Sequence, residues 1–299
     1  MTPINVPNDT DTGALDVDTN GNLFVGGSDF SGQFRCLRSS NAQIGNQTPT
    51  FDQNTLVNLG GFLIQGGING IGLCGQTFIV IDHSGTATNN NIYMLASVQQ
   101  YNADSNVMFV RSTNGGQSFS APQRINDDPV NSSKWHWFGS LSVAPNGRID
   151  VVWYDTRNAA NNTDSQLFYS YSTDGGVTWS PNVAVSAPFS PLEGWPNQNK
   201  IGDYITIVSD YTGGNVAYAA TFNFDRNRDQ HEQDVYYVRV SPSGGATPTP
   251  TATASPTATA TPTATPSPTP TATGTPRVTP TPRSEPTPRI RPTPPPRPV

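Results

Sequence analysis

The sequence predicts an all-β fold, a β-propeller of four-stranded antiparallel blades, followed by a disordered Thr/Pro-rich tail. Three observations carry this. A unit of strand, tight turn, strand, link and strand recurs four times, its second strands starting near Asn22, Asn91, Arg148 and Asn215, at steps of 69, 57 and 67 residues. A similar decapeptide follows the third strand in two units, "RSTNGGQSFS" at 111–120 and "YSTDGGVTWS" at 171–180. No segment reads as a helix of two turns or more. A small antiparallel unit repeated at a fixed period points to radial closure, which protects strand edges. A β-sandwich would not explain the same turn chemistry recurring in register.

The units read in order. "LDVDTNGNLFVGG" (15–27) leads to "QFRCLRS" (33–39), and "FIVIDHSGTATNNNIYMLASV" (78–98) to "NVMFVRS" (106–112). The clearest copy is "LSVAPNGRIDVVWYD" (141–155) with "LFYSYS" (167–172), where Asn146-Gly147 suits a type I′ hairpin turn with positive φ at both central residues. The last is "ITIVSDYTGGNVAYAATFN" (205–223) with "DVYYVRV" (234–240). A fourth strand such as "NVAVS" (182–186) completes a unit.

Composition divides the chain into a propeller over 1–243 and a low-complexity tail over 244–299. The stretch from Thr247 onward holds 17 of the 28 prolines and no aromatic residue. Such a tract has too little apolar surface to offset the entropy of ordering, so it is expected to stay extended and solvated. Residues 1–246 carry eleven basic against twenty-one acidic side chains, with Lys134 and Lys200 the only lysines, which argues against a nucleic-acid partner. No apolar run reaches 18 residues, so no transmembrane segment is expected. The start "MTPINVPNDT" is no signal peptide, yet the tail resembles a wall-spanning or glycosylated stalk. The expectation is therefore a secreted or cell-surface monomer whose true N-terminus lies upstream. Cys36 and Cys74 either pair or stay as buried thiols, and the sequence leaves both open.

In the repeated decapeptide, Asp174 can accept hydrogen bonds from the amides of its own turn, and Gly175 and Gly176 allow positive φ. Trp179 is expected to fold back over its hairpin. Ser172-x-Asp174-x-Gly176-x-x-Trp179 resembles the Asp box, or BNR repeat, of the sialidase superfamily. Ser112-x-Asn114-x-Gly116-x-x-Phe119 is similar, with Asn for Asp. The resemblance covers roughly residues 13–240 and implies a sialidase-like propeller. Such rings usually have six blades, so two blades upstream of the four legible ones are expected in the parent protein.

Active sialidases resemble one another in an arginine triad for the substrate carboxylate, a tyrosine nucleophile activated by glutamate, and an aspartate acid/base. The Arg-Ile-Pro motif of that family is absent here, so the catalytic set is incomplete in this chain. Candidates for chemistry are Asp155 and Arg157 in "WYDTR", Asp203 and Tyr204 in "NKIGDY", and Glu193 in "PLEGWP". A local ion pair is the plainer role for Asp155 and Arg157. Trp135, Trp137 and Trp195, with Arg148, are candidates for holding a sugar, since an indole face stacks on the apolar face of a pyranose; core packing is their alternative role.

Other motifs lead nowhere. "DVDTNG" (16–21) lacks the bidentate Glu that an EF-hand needs at its twelfth position, which is Gly27. Asp82-His83-Ser84 are strand neighbours and point to opposite faces. Asp127 and Asp128 read as solvated loop carboxylates, and His83, His136 and His231 show no metal-ligand spacing. No metal and no cofactor is expected. The expected function is recognition of a glycan or an extracellular protein surface; the alternative is a glycoside hydrolase of exo-α-sialidase type, or a fragment of one.

Overall fold

The computed structural model describes residues 3–29, 31–64, 66–99, 105–130 and 133–242. The chain divides into two units, Met1–Thr253 and Ala254–Val299, and every described residue belongs to the first. The tail expected over 244–299 lies outside the described residues.

Four antiparallel sheets follow one another along the chain, and no α-helix occurs among the described residues. The first sheet contains β1 (Asp11–Val17), β2 (Leu23–Ser28), β3 (Phe34–Ser39) and β4 (Gln53–Val57). In the second, β5 (Phe62–Leu63) and β6 (Phe78–Ile81) both pair with β7 (Ile92–Gln99), which continues to β8 (Ser105–Ser112) and β9 (Gln123–Arg124). The third runs β10 (His136–Val143), β11 (Ile149–Asp155), β12 (Gln166–Ser172) and β13 (Val183–Ala184). The fourth has three strands rather than the expected four: β14 (Thr206–Ser209), β15 (Gly214–Asp225) and β16 (Gln230–Val240).

Consecutive sheets pack face to face. Phe24, Phe34 and Cys36 of the first sheet join Ile79, Ile92 and Met94 of the second. Tyr93 and Phe109 of the second join Val151, Trp153 and Phe168 of the third. Tyr154, Leu167 and Tyr169 of the third join Ile207, Val216, Tyr218 and Val238 of the fourth. The outer faces of the end sheets stay open, with Leu15 65% and Val235 76% exposed beside Val17, Val208 and Tyr237. Cys36 and Cys74 are free and sit in different clusters, and burial pushes their thiols up to about 12 and about 11.

The hairpin after β10 departs from the expected type I′ turn. Gly147 N–H donates to the Ala144 carbonyl and Gly147 has φ +81°, whereas Asn146 stays outside the positive-φ region. Pro145 causes this, because its ring fixes φ near −65° in the position where a primed turn needs a positive value. The turns closing at Gly21 and Gly32 are built alike, with hydrogen bonds to Asp18 and Asp29.

The repeated decapeptide forms one turn twice. Gly176 N–H donates to Ser172 Oγ at 2.9 Å, and Asp174 Oδ1 accepts from Val177 N at 3.0 Å and Thr178 N at 2.9 Å. Gly116 N–H donates to Ser112 Oγ at 2.9 Å, and Asn114 Oδ1 accepts from Ser118 N at 3.1 Å. The aromatic residue does not fold over its own hairpin: Trp179 stands edge-on to Phe109 of β8, 5.0 Å between centroids, and Phe119 packs on the cluster between the first two sheets. Each turn thus reaches the preceding sheet. Gln53 Nε2 donates to Gly115 O at 3.2 Å, and Arg111 Nη1 to Gly175 O at 3.2 Å.

Gly176 has φ +79°, and a Cβ there would lie 2.4 Å from the Phe109 ring. Gly115 has φ +68° and open space around it. Gly176→Ala is therefore expected to cost about 2–4 kcal/mol in chemical denaturation, strain and overlap together, and Gly115→Ala about 1–2 kcal/mol. Burial acts to raise the Asp174 carboxyl, but hydrogen bonds from Thr178, Ser172 and Val177 prevail and hold it at about 2. Because the folded value lies below the ordinary 3.8, the turn's contribution is present above that pH and lost as pH falls through about 2. The melting temperatures of wild type and Asp174→Ala are expected to converge as pH falls from 4 towards 2.

Candidate functional site

The sequence candidates separate into groups that hold the fold and a group that stands open on the surface. Trp137 belongs to the first: it is fully buried against Phe138 and Tyr154, and its indole N–H donates to Ser165 Oγ at 3.2 Å. It is therefore a core residue rather than a sugar platform. Trp135 is partly buried on the same cluster, and its ring fills the space a side chain at Gly67 would need. Arg148 is 3% exposed and grips Asp150 with Nε at 2.9 Å and Nη2 at 2.9 Å. The same guanidinium reaches the carbonyls of Asp210 (2.8 Å) and Tyr211 (3.2 Å), so it clamps the third sheet to the fourth and is not free for a substrate. Asp203 accepts from Lys200 Nζ at 2.6 Å, while Tyr204 is exposed and forms no hydrogen bond with Glu193 among the described residues.

Asp155 and Arg157 do form the local ion pair, but inside a larger buried network that the sequence does not reveal. Asp155, the last residue of β11, lies opposite His136, the first of β10. Its Oδ2 accepts from Trp153 Nε1 at 2.8 Å and Arg157 Nε at 2.8 Å. Arg157 also meets Asp127 at 2.6 Å and Asp128 at 3.3 Å, over the ring of Phe168. His136 Nε2 stands 3.0 Å from Asp128 Oδ1 and 3.6 Å from Asp155 Oδ2. Burial works against a charge on either partner. Even so, Asp128 is held well below the usual carboxylate range by its contacts with His136 and Asn126, and His136 is raised by Asp128 and Asp155. Asp128 is thus buried, not the solvated loop carboxylate its setting suggested.

The pairing of His136 with Asp155 depends on a bulge. Ser140 pairs Val152, but Trp137 pairs Tyr154, so two residues, Phe138 and Gly139, oppose Trp153 alone. Phe138 takes φ +56°, and its N–H donates to the Cys74 carbonyl at 2.8 Å. Without the extra residue Trp137 would face Asp155, and no sequence signal marks the slip.

The open group surrounds Trp195, which is 46% exposed. The 193–198 loop docks on the start of β16: Trp195 N–H donates to the His231 carbonyl at 2.7 Å, and Gln233 N–H to the Trp195 carbonyl at 2.8 Å. Arg228 lies over the indole at 5.0 Å and is fixed by Glu232 (2.6 Å) and Asp225 (2.7 Å). Glu193, half exposed, stands 3.9 Å from His231 Nε2, and the Gln198 amide donates to Gln233 Oε1 at 3.1 Å. The structure therefore unites Glu193 and Trp195, as candidates, with Arg228, His231, Glu232 and Gln233. The sequence offered "NRDQHEQD" only as an exposed loop.

No protein-family model matches the chain, and no curated protein matches it by sequence. Solved structures match in shape. A Penicillium chrysogenum α-L-arabinanase complexed with arabinobiose has TM-score 0.50 and 13% identity over 78% of this chain and 65% of its own. A mutant α-L-arabinofuranosidase of Fusarium graminearum, in complex with an iminosugar inhibitor, has TM-score 0.50 and 12% identity over 79% and 65%. A Streptococcus pneumoniae sialidase mutant reaches only 0.35, with 14% identity over 70% and 29%. The chain thus spans less than two thirds of the length of these structures. The likeness is one of fold, all-β and propeller-like, and no helix among the described residues is long and apolar enough to cross a membrane.

Removing Arg148 leaves Asp150 charged, buried and without its guanidinium. Arg148→Met is expected to lower stability by about 3–5 kcal/mol in urea denaturation. A residue free to grip substrate would leave stability nearly unchanged.

Proposed function

We propose that this chain is an extracellular glycan-recognition module whose contact surface centres on Trp195. The carrying observation is the half-open indole framed by a fixed Arg228, the carboxylates of Glu193 and Glu232, and the amides of Gln198 and Gln233. An indole face complements the C–H face of a sugar ring, and carboxylates and amides arranged around it take up hydroxyls. Four of these groups are already tied in two pairs, Arg228 to Glu232 and Gln198 to Gln233, so little side-chain freedom is lost on binding. The open outer faces of the end sheets support a parent ring of six blades, in which two further blades cover Leu15 and Val235. The protein acts as a monomer.

The second reading, a glycoside hydrolase, keeps one specific support: two carboxyl groups, Glu193 beside His231 and Glu232 on Arg228, belong to the Trp195 cluster, and most glycoside hydrolysis uses a carboxyl pair, whereas an exo-α-sialidase would need a tyrosine nucleophile in its place. A glycan array carrying sialosides and arabino-oligosaccharides, followed by titration calorimetry on the full chain, separates the two. Recognition predicts binding without product, weakened about tenfold or more by Trp195→Ala, a loss of about 1.4 kcal/mol. Product release that disappears in both Glu193→Gln and Glu232→Gln would establish the hydrolase instead.

A further inference from the structure

We infer that Asp128, His136 and Asp155 form a binding site for one divalent cation of the zinc type. The three side chains are buried, and their ligand atoms lie within 4.8 Å of one another. A tetrahedral zinc ion with bonds of about 2.0–2.2 Å sets its ligand atoms about 3.4 Å apart. His136 Nε2 lies 3.0 Å from Asp128 Oδ1 and 3.6 Å from Asp155 Oδ2, on either side of that spacing.

The independent sign is His136 itself. Its Nδ1 faces the Ser105 carbonyl, which can only accept, so Nδ1 carries a proton and Nε2 points into the cluster. Nε2 is fully buried and forms no hydrogen bond: Asp128 Oδ1, at 3.0 Å, is out of line with its proton direction, and Asp155 Oδ2, at 3.6 Å, is beyond hydrogen-bond reach. A buried ring nitrogen of this kind calls for a partner on its axis, and a cation between two carboxylates supplies one. A ligating imidazole commonly donates its other N–H to a carbonyl, as here. The carboxylates are oriented too, Asp128 by Asn126 Nδ2 at 2.9 Å and Asp155 by Trp153 Nε1 at 2.8 Å.

Charge supports a dication. With neutral imidazole, Asp127, Asp128 and Asp155 outnumber Arg157 and Arg124, whose Nη2 donates to the Asp128 carbonyl at 2.8 Å, and one negative charge is left over. Arg157 is the competitor, because its Nη2 touches both ligand carboxylates, at 2.8 Å and 3.3 Å. Its other contacts are divided: Nε also holds Asp155 Oδ2 at 2.8 Å and must give way to the cation, whereas Asp127 Oδ1 at 2.6 Å and Asn182 Oδ1 at 3.0 Å lie outside the ligand set and can hold the guanidinium aside. A mixed imidazole and carboxylate set favours zinc or manganese over calcium.

The test is titration calorimetry of the chelator-stripped full chain with Zn²⁺, with Mn²⁺ and Ca²⁺ as comparators, and emission from Trp153 as a second readout. One equivalent of Zn²⁺ is expected, reversed by chelator, with Ca²⁺ weaker. Asp128→Asn and His136→Gln are each expected to weaken binding at least about a hundredfold, beyond the 10–100-fold typical of outer groups. Arg157→Gln is expected to tighten it. Absence of chelator-reversible binding in the wild type overturns the site and leaves an imidazolium between the carboxylates; this outcome needs no variant to fold. Binding at several weak sites, unchanged in folded Asp128→Asn, overturns it equally.

Discussion

The structure depends on one constraint: the apolar faces between consecutive sheets must cover one another. Phe109 shows how the contact is made, because its ring is met edge-on by Trp179 and leaves room only for a glycine at 176. The turn that closes one sheet is therefore part of the core of the sheet before it. Side chains of the preceding sheet, Gln53 and Arg111, bond to the carbonyls of these turns. Between the third and fourth sheets the same task falls to Arg148, which crosses to the Asp210 and Tyr211 carbonyls.

Much of the fold was legible because strand periodicity and turn residues are local. Gly147 and Gly176 announce their turns, and the strands around them lie within a few residues of where the apolar runs placed them. What was not legible is, apart from the turn at Pro145, non-local. Pro145 turned the Asn-Gly hairpin from the primed type to one with a single positive φ. The bulge at Phe138 and Gly139 moved His136 opposite Asp155, a one-residue slip that changes which side chains meet. Trp137 and Trp135 sit among polar residues in the chain, yet one is core and the other packs on it, because the loop around Gly67 comes from another sheet.

The charged residues fall into two kinds for the same reason. Asp150 and Asp155 sit on strands and are buried, so each is matched by a guanidinium. Glu193 and Arg228 sit on loops and Glu232 near the start of β16, where matching leaves them partly in water and accessible. Glu193 was a sequence candidate because glutamates are scarce, and Trp195 because it stands alone. Their meeting with Arg228 and His231 follows from the docking of the 193–198 loop on β16, which spacing along the chain does not encode.

The central claim, that a glycan is held at Trp195, is tested most directly by hydrogen–deuterium exchange of the full chain with and without a ligand found on the array. Slowed exchange confined to residues 193–198 and 225–233 is the predicted result. Protection elsewhere on the sheets, with those two segments unchanged, would contradict it.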